Sequence, residues 1–324
     1  MMKWNTKLIQ ATVLGILCLT GNSLTYASVP EDLSQLPATR SQLAGHIDSI
    51  LNGKRMTVGI YAETGGKQIY ARNENMHFPL MSVFKIQVAL SVLHNLYTHR
   101  IQPDTLIHIE RKRILENTYS PMRADYPAGD IELPVSKLIN YAVSESDNNA
   151  CDILIGLAGG PQAVDKYTRS LGIEDFRIAE TEASMHEDPS RVYGNWCTPQ
   201  AMNSLLKLID CGRTASYDRP LRSAMSQVRT GKDKMAAGIP RGALLQHKTG
   251  SSDRINGIKT ADNDVGIVRL PDSGGSVLLT IFIKESAETD ATNAAVTAAI
   301  TRAILTETLG QKAYGLYDIL QIEE

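Results

Sequence analysis

The sequence carries no excess of either charge: 33 Lys+Arg stand against 35 Asp+Glu, a formal net charge of -2. A protein that grips nucleic acid through its phosphates needs a basic surplus, so that class is excluded. Metal-ligand spacing is missing too, with no CxxC, HExxH or HxH cluster and seven scattered histidines. There is no repeat of roughly 20–50 residues and no low-complexity tract. No apolar run, the N-terminal one included, is long enough to span a bilayer. Disorder is excluded by what is present: a chain 43% apolar and 21% charged buries enough surface to offset the entropy of ordering. At this length the core is large, and one large domain or two lobes is expected.

Cysteine is scarce, and its count is informative. Lys3 and Lys7 precede an apolar run from Leu8 to Leu19, and Thr25-Tyr26-Ala27 has the small-x-small pattern of a signal-peptidase site. Residues 1–27 therefore read as a signal peptide, with a periplasmic or secreted mature chain starting near Ser28 and no stable membrane anchor. Leu17 before Cys18 argues against a lipoprotein. Removing Cys18 leaves Cys151, Cys197 and Cys211, an odd number. Thr198-Pro199 and Gly212 read as the start and stop of a helix. That helix would hold Cys197 and Cys211 roughly 20 Å apart, beyond the reach of a disulfide. Buried, unpaired thiols are expected.

Thr57–Ala62 and Gln68–Ala71 form a hairpin pattern around Glu63-Thr64-Gly65-Gly66-Lys67. Ala243–Lys248, Val265–Leu270 and Ser276–Lys284 read as strands, with Pro271-Asp272-Ser273-Gly274-Gly275 turning between the last two. A helix from Thr289 to about Leu309 follows. Between these ends, Ser82–Leu96, Leu133–Val143, Ala150–Leu157, Pro161–Leu171 and Pro199–Asp210 carry helical apolar spacing. Isolated hairpins are marginal in water, so the terminal strands are expected to merge into one antiparallel sheet. The fold class is α/β of the α+β type: an antiparallel sheet flanked by helices, with an inserted all-helical lobe. The expected partition is 28–78 plus 226–324 for the α/β lobe and 79–225 for the helical lobe, with a small-molecule cleft between them.

Three motifs fall on these elements in order: Ser82-Val83-Phe84-Lys85 opening the first long helix, Ser146-Asp147-Asn148 between two helices, and Lys248-Thr249-Gly250 ending a strand. A serine at a helix N-terminus meets unpaired N–H groups and the positive end of the macrodipole. A lysine one turn on can accept or relay its proton. Asp147 reads as a local backbone acceptor in an Asx-type turn. A glycine after Lys248-Thr249 lets the strand approach a ligand closely.

Taken together, SxxK, SDN and KTG are the signature of class A β-lactamases and penicillin-binding proteins. The sequence resembles a class A serine β-lactamase from about residue 40 to 310. Phe78-Pro79-Leu80, Asp147-Asn148-Asn149-Ala150 and Thr230-Gly231 add to the likeness, and finer features resemble the extended-spectrum cephalosporinase branch. The resemblance implies a β-lactamase/transpeptidase-like fold, a monomer, a small-molecule β-lactam substrate and no cofactor. It implies Ser82 as nucleophile, Lys85 as its proton partner and Ser146 as the shuttle to the leaving nitrogen. Lys248 and Thr249 would bind the substrate carboxylate, and Asn148 the acylamino group. The Ser82 and Ser251 N–H groups would form the oxyanion hole beside Gly250. Lys234 stands where some relatives carry a carboxylate-anchoring arginine, and it is weighed against a plain surface lysine. Tyr119 either walls the site or packs in the core.

The resemblance also calls for a carboxylate that activates water, because hydrolysing the acyl-enzyme is what separates a β-lactamase from an acyl-trapping protein. Within Glu180-Thr181-Glu182-Ala183-Ser184-Met185-His186 the choice is Glu182, with Glu180 as its rival and His186 as a holder of the water. Lys85 and Glu182 both remain open as the base in acylation. The usual arginine–aspartate pair of this loop is replaced by Glu180 and Asn195. The disulfide found in some carbapenem-hydrolysing relatives has no counterpart, since Met81 and Ser252 hold its positions.

Overall fold

A computed structural model describes residues 36–270 and 275–309 of the chain. The signal-peptide reading and most of the Pro271–Gly275 turn lie outside the described residues. Helix α1 (Leu36–Leu51), which the sequence reading does not include, buries Leu43 and Ile47. It leads into strands β1 (Thr57–Thr64) and β2 (Lys67–Arg72), whose tight turn is made by Gly65 and Gly66 at φ +54° and +79°. Both residues have the positive φ that a two-residue hairpin loop requires.

Strand β3 (Phe78–Pro79) precedes a single 3-10 turn, Met81–Phe84, which runs into α2 (Lys85–Thr98). The expected helix over Ser82–Leu96 is thus corrected at its start, and it is not the first long helix. Val83 N–H closes a tighter i→i+3 bond onto Leu80 O (3.2 Å), so Ser82 sits in the 3-10 turn and Lys85 opens the α-helix. Next come β4 (Leu106–Ile109), α3 (Pro121–Asp125), β5 (Ile131–Pro134), α4 (Val135–Ser144), α5 (Asn148–Ala158) and α6 (Pro161–Ser170). The expected helix from Leu133 starts two residues later because Leu133 and Pro134 pair with β4. Gly159 and Gly160, at φ +96° and +98°, return their N–H groups to Gly156 O and Ile155 O and stop α5.

Strand β6 (Phe176–Arg177), α7 (Glu182–Glu187), β7 (Trp196–Cys197), α8 (Pro199–Asp210) and α9 (Arg219–Met225) complete the middle of the chain. Thr198 caps α8, accepting from Ala201 N–H (3.2 Å). The chain closes with β8 (Leu244–Ser251), β9 (Arg254–Ile255), β10 (Ile258–Arg269), β11 (Ser276–Ser286) and α10 (Asp290–Leu309). The terminal strands do merge: the order is β2-β1-β11-β10-β8, antiparallel throughout, with β9 paired to β10.

Strand periodicity explains why helices flank both faces. Along β11, Val277, Leu279, Ile281 and Ile283 join one apolar cluster with Ile47 of α1 and Ile300 and Ile304 of α10. The alternate residues Leu278 and Phe282 join a second cluster with Val83, Ile86 and Leu205. β10 is buried on both sides, yet it carries Asp262, Asn263 and Asp264 in succession. Asn263 donates to Pro79 O (2.7 Å) and Leu80 O (3.1 Å) and accepts from Ile283 N–H (3.3 Å). This buried amide ties the segment just before Ser82 to the centre of the sheet. The described residues from Pro37 onward form one compact unit.

Cys151, Cys197 and Cys211 are all unpaired. The first two are buried as expected. Cys211 is exposed, because it follows the last turn of α8 and faces outward.

Candidate active site

Lys85 is entirely buried, and its ammonium is the hub of the site. Nζ donates to Ser82 Oγ (2.9 Å), Ser146 O (2.8 Å) and Asn148 Oδ1 (2.7 Å). Glu182 Oε1 stands 2.8 Å from the same nitrogen. An ammonium has three hydrogens, and four acceptors at hydrogen-bond distance share them. The Glu182 approach, as short as the others, is the one that also matches the buried charge.

Ser146 is brought to this hub by a left-handed backbone at φ +61° between α4 and α5. Asp147, wholly buried, holds the corner. Its Oδ1 accepts from Ala150 N–H (2.8 Å) and caps α5, while Oδ2 accepts from Ser120 Oγ (2.8 Å) and Met122 N–H (2.7 Å). The Asx-type role read from sequence is thus extended by two long-range bonds. Asn148 sends its amide hydrogens the other way, to Thr118 Oγ1 (2.9 Å).

β8 approaches from the opposite side. Lys248 Nζ donates to Ser146 Oγ and to Thr249 O, each at 2.9 Å. Full burial, and then the neighbouring Lys85 charge, pushes the Lys248 ammonium well below the usual lysine range. A Cβ at Gly250 would lie 2.5 Å from Leu80 O and 3.1 Å from Ser82 N. Only glycine lets the strand come this close to the serine. Thr249 Oγ1 and Thr230 Oγ1 are 2.5 Å apart.

The third wall is the 180–195 loop. Thr181 caps α7, accepting from Ser184 N–H (3.0 Å) and placing Glu182 at the first helical position. Asp152 of α5 clamps the same turn, taking the N–H groups of Glu182 and Ala183 at 2.8 Å each. At the neck of the loop, buried Asn195 accepts from Ala179 N–H (2.8 Å) and Glu180 N–H (2.9 Å) and donates to Glu180 O (3.0 Å). An amide thus ties the loop where the resemblance called for an ion pair. Glu180 turns away from the hub to Ser184 Oγ (2.6 Å) and Arg191 (3.5 Å), so of the two glutamates only Glu182 meets Lys85.

These walls enclose a cavity of about 630 Å³, lined by Ser82, Tyr119, Asn148, Glu182, His186 and Ser251 among others. Lys85, Ser146, Lys248, Thr249 and Gly250 stand behind that lining and join it through the bonds above. Tyr119 is 59% exposed, so the core-packing alternative fails and its ring borders the cavity. Lys234 is not brought to the lining. It is 9% exposed rather than a plain surface lysine, and its ammonium is bound to Asp262. Among the described residues no group of three or more His, Cys, Asp or Glu is arranged to hold a metal.

Sequence reasoning missed Asp152. The available signal was its i, i+4 spacing from Asn148, which puts both on one face of α5. Burial raises the Asp152 carboxyl to about 6, against the opposing pull of the two backbone N–H groups. An acid whose folded pKa lies above its unfolded value favours the folded state while protonated, and that contribution is lost as pH rises through the folded pKa. Wild type should therefore lose on the order of 3 kcal/mol relative to Asp152→Asn between about pH 4 and pH 6. Urea denaturation of both proteins across that range checks it, and parallel curves would refute the clamp's titration.

Residues 42–308 match the family model described as the beta-lactamase enzyme family. A beta-lactamase of Bacteroides uniformis is 42% identical over 268 residues, covering 82% of this chain and 90% of that one. The extended-spectrum beta-lactamase PER-1 of Pseudomonas aeruginosa is 35% identical over 274 residues, covering 83% and 87%. The crystal structure of a class A beta-lactamase representative from Bacteroides cellulosilyticus superposes with a TM-score of 0.80 at 40% identity, covering 83% of this chain and 98% of that one. The chain belongs to the beta-lactamase enzyme family. Within that family it is a class A enzyme.

Proposed function

We propose that the enzyme hydrolyses the β-lactam amide of penicillins and cephalosporins through an acyl-enzyme on Ser82. The observation that carries this is a single ammonium, Lys85 Nζ, in contact with both the Ser82 hydroxyl (2.9 Å) and the Glu182 carboxylate (2.8 Å) on one cavity wall. Lys85 becomes a base once one of its protons passes along this contact to Glu182. Its freed lone pair then takes the Ser82 proton as the oxygen attacks the lactam carbonyl. The Ser82 and Ser251 N–H groups stabilise the oxyanion. Ser146, polarised by Lys248, delivers its proton to the departing nitrogen and takes up the one that Lys85 received from Ser82, after which Glu182 returns its proton to Lys85 and is ionised again. Lys248 and Thr249 meet the substrate carboxylate, and Asn148 orients the acylamino chain beside Tyr119. In the second half-reaction Glu182, with His186, directs water onto the ester.

The extended-spectrum name of the PER-1 relative supports a cephalosporinase spectrum. Export through residues 1–27 and a two-lobe partition at residues 79 and 226 belong to the same reading. Among the described residues no helix is long and apolar enough to cross a membrane. Steady-state hydrolysis of a chromogenic cephalosporin tests the proposal. A stoichiometric burst without turnover would point instead to a penicillin-binding protein or a β-lactam sensor.

A further inference from the structure

Lys234 is the cation that family position assigns to the cavity and that the fold turns elsewhere. Its stem lies beside the Thr249 side chain: a Cβ at Gly231, which sits at φ +64°, would lie 2.6 Å from Thr249 Cγ2 and 3.3 Å from Lys234 Cδ. Its ammonium binds Asp262 Oδ1. Asp262 is 2% exposed and lies directly opposite Ser251 in the β8–β10 ladder. The same Oδ1 takes the Ser251 hydroxyl proton (3.2 Å), and Oδ2 accepts from the Asn293 amide (3.1 Å). Asn293 is buried and is itself fixed, accepting from Ser286 Oγ (2.7 Å).

A carboxylate this deep is stable only if its charge is matched and its lone pairs are filled. Here one ammonium and two neutral donors do both. The pairing has two effects on the cavity. Lys234's charge is cancelled inside the protein, on the same carboxylate oxygen that holds the cavity-lining Ser251. Ser251, which lines the cavity, has its proton committed to Asp262 and so meets a ligand with its lone pairs.

We propose that Asp262 is a specificity-setting positioning residue, which cancels the Lys234 charge beside the substrate site and orients the Ser251 hydroxyl. The proposal rests on the reading of this cavity as the β-lactam site. It makes recognition of the substrate acid the task of Lys248 and Thr249, without a second cation.

The test compares wild type, Asp262→Asn and the double variant K234M/D262N on an anionic chromogenic cephalosporin, at about 0.02 M and about 0.2 M salt. Asp262→Asn keeps the side-chain shape but leaves Lys234 uncancelled. Its KM should fall about fivefold at low salt, with kcat changed by less than about twofold and the gain shrinking at high salt. The double variant, with neither charge, should return KM to within about twofold of wild type. An Asp262→Asn KM that is unchanged or raised overturns the proposal. So does a double-variant KM about tenfold above wild type, because Lys234 would then hold the substrate directly. If Asp262→Asn does not fold, the double variant decides alone, since it buries no unmatched charge. Lack of wild-type turnover would instead overturn the β-lactam reading itself.

Discussion

Glu182→Ala should react with a cephalosporin and fail to release it. Intact-mass spectrometry should show one adduct per chain that persists while the wild-type adduct disappears. Loss of a general base typically costs about 10²- to 10⁴-fold in the step that it serves, so the adduct should survive from minutes to hours. The change removes the carboxylate facing the buried Lys85 ammonium, which keeps its bonds to Ser82, Ser146 and Asn148, so the thermal midpoint of the variant is measured alongside to show that it is folded. The control is Glu180→Ala. Its carboxylate is turned to Ser184 and Arg191, and this variant should turn over. If Glu180→Ala trapped the adduct and Glu182→Ala did not, the assignment of the water-directing carboxylate would be reversed.

Ser82→Ala has the larger effect on turnover. Removing the nucleophile of a covalent mechanism costs on the order of a millionfold in kcat, and here no adduct should form at any concentration. The variant should still bind substrate, since the cavity walls contributed by Tyr119, Asn148 and Ser251 are untouched. An adduct of undiminished yield would remove Ser82 as the nucleophile. The pair of variants separates the two half-reactions: one stops before the covalent bond and the other after it.

The motifs were legible in sequence because their chemistry is local. SxxK spans one helical turn, SDN lies in one corner, and KTG occupies one strand, so periodicity and turn chemistry locate them without knowledge of the fold. What escaped depends on long-range pairing. Asp152 lies 30 positions before the backbone it clamps, and inside α5 it reads as one polar residue in an apolar helix. Asp262, Asn263 and Asp264 interrupt a buried strand in a way that strand patterning scores as a defect. Their partners (Lys234, Asn293, Pro79, Leu80, His247) come from both ends of the chain. Lys234 shows the limit from the other side, since its spacing from Lys248 is plain in the sequence but its charge partner Asp262 is not. The 3-10 turn at Ser82 escaped for a smaller reason. Helix starts that lack a capping side chain leave little trace in sequence, and Leu80 and Phe84 cap nothing with theirs.

The uncharged knot at Asn195 has a consequence of its own. Coulombic fasteners weaken as counter-ions crowd around them or as their acid partner gains a proton. Three amide bonds to Ala179 and Glu180 offer neither target. At its neck, the segment that aims Glu182 is fastened in a way that brine and mild acid leave alone.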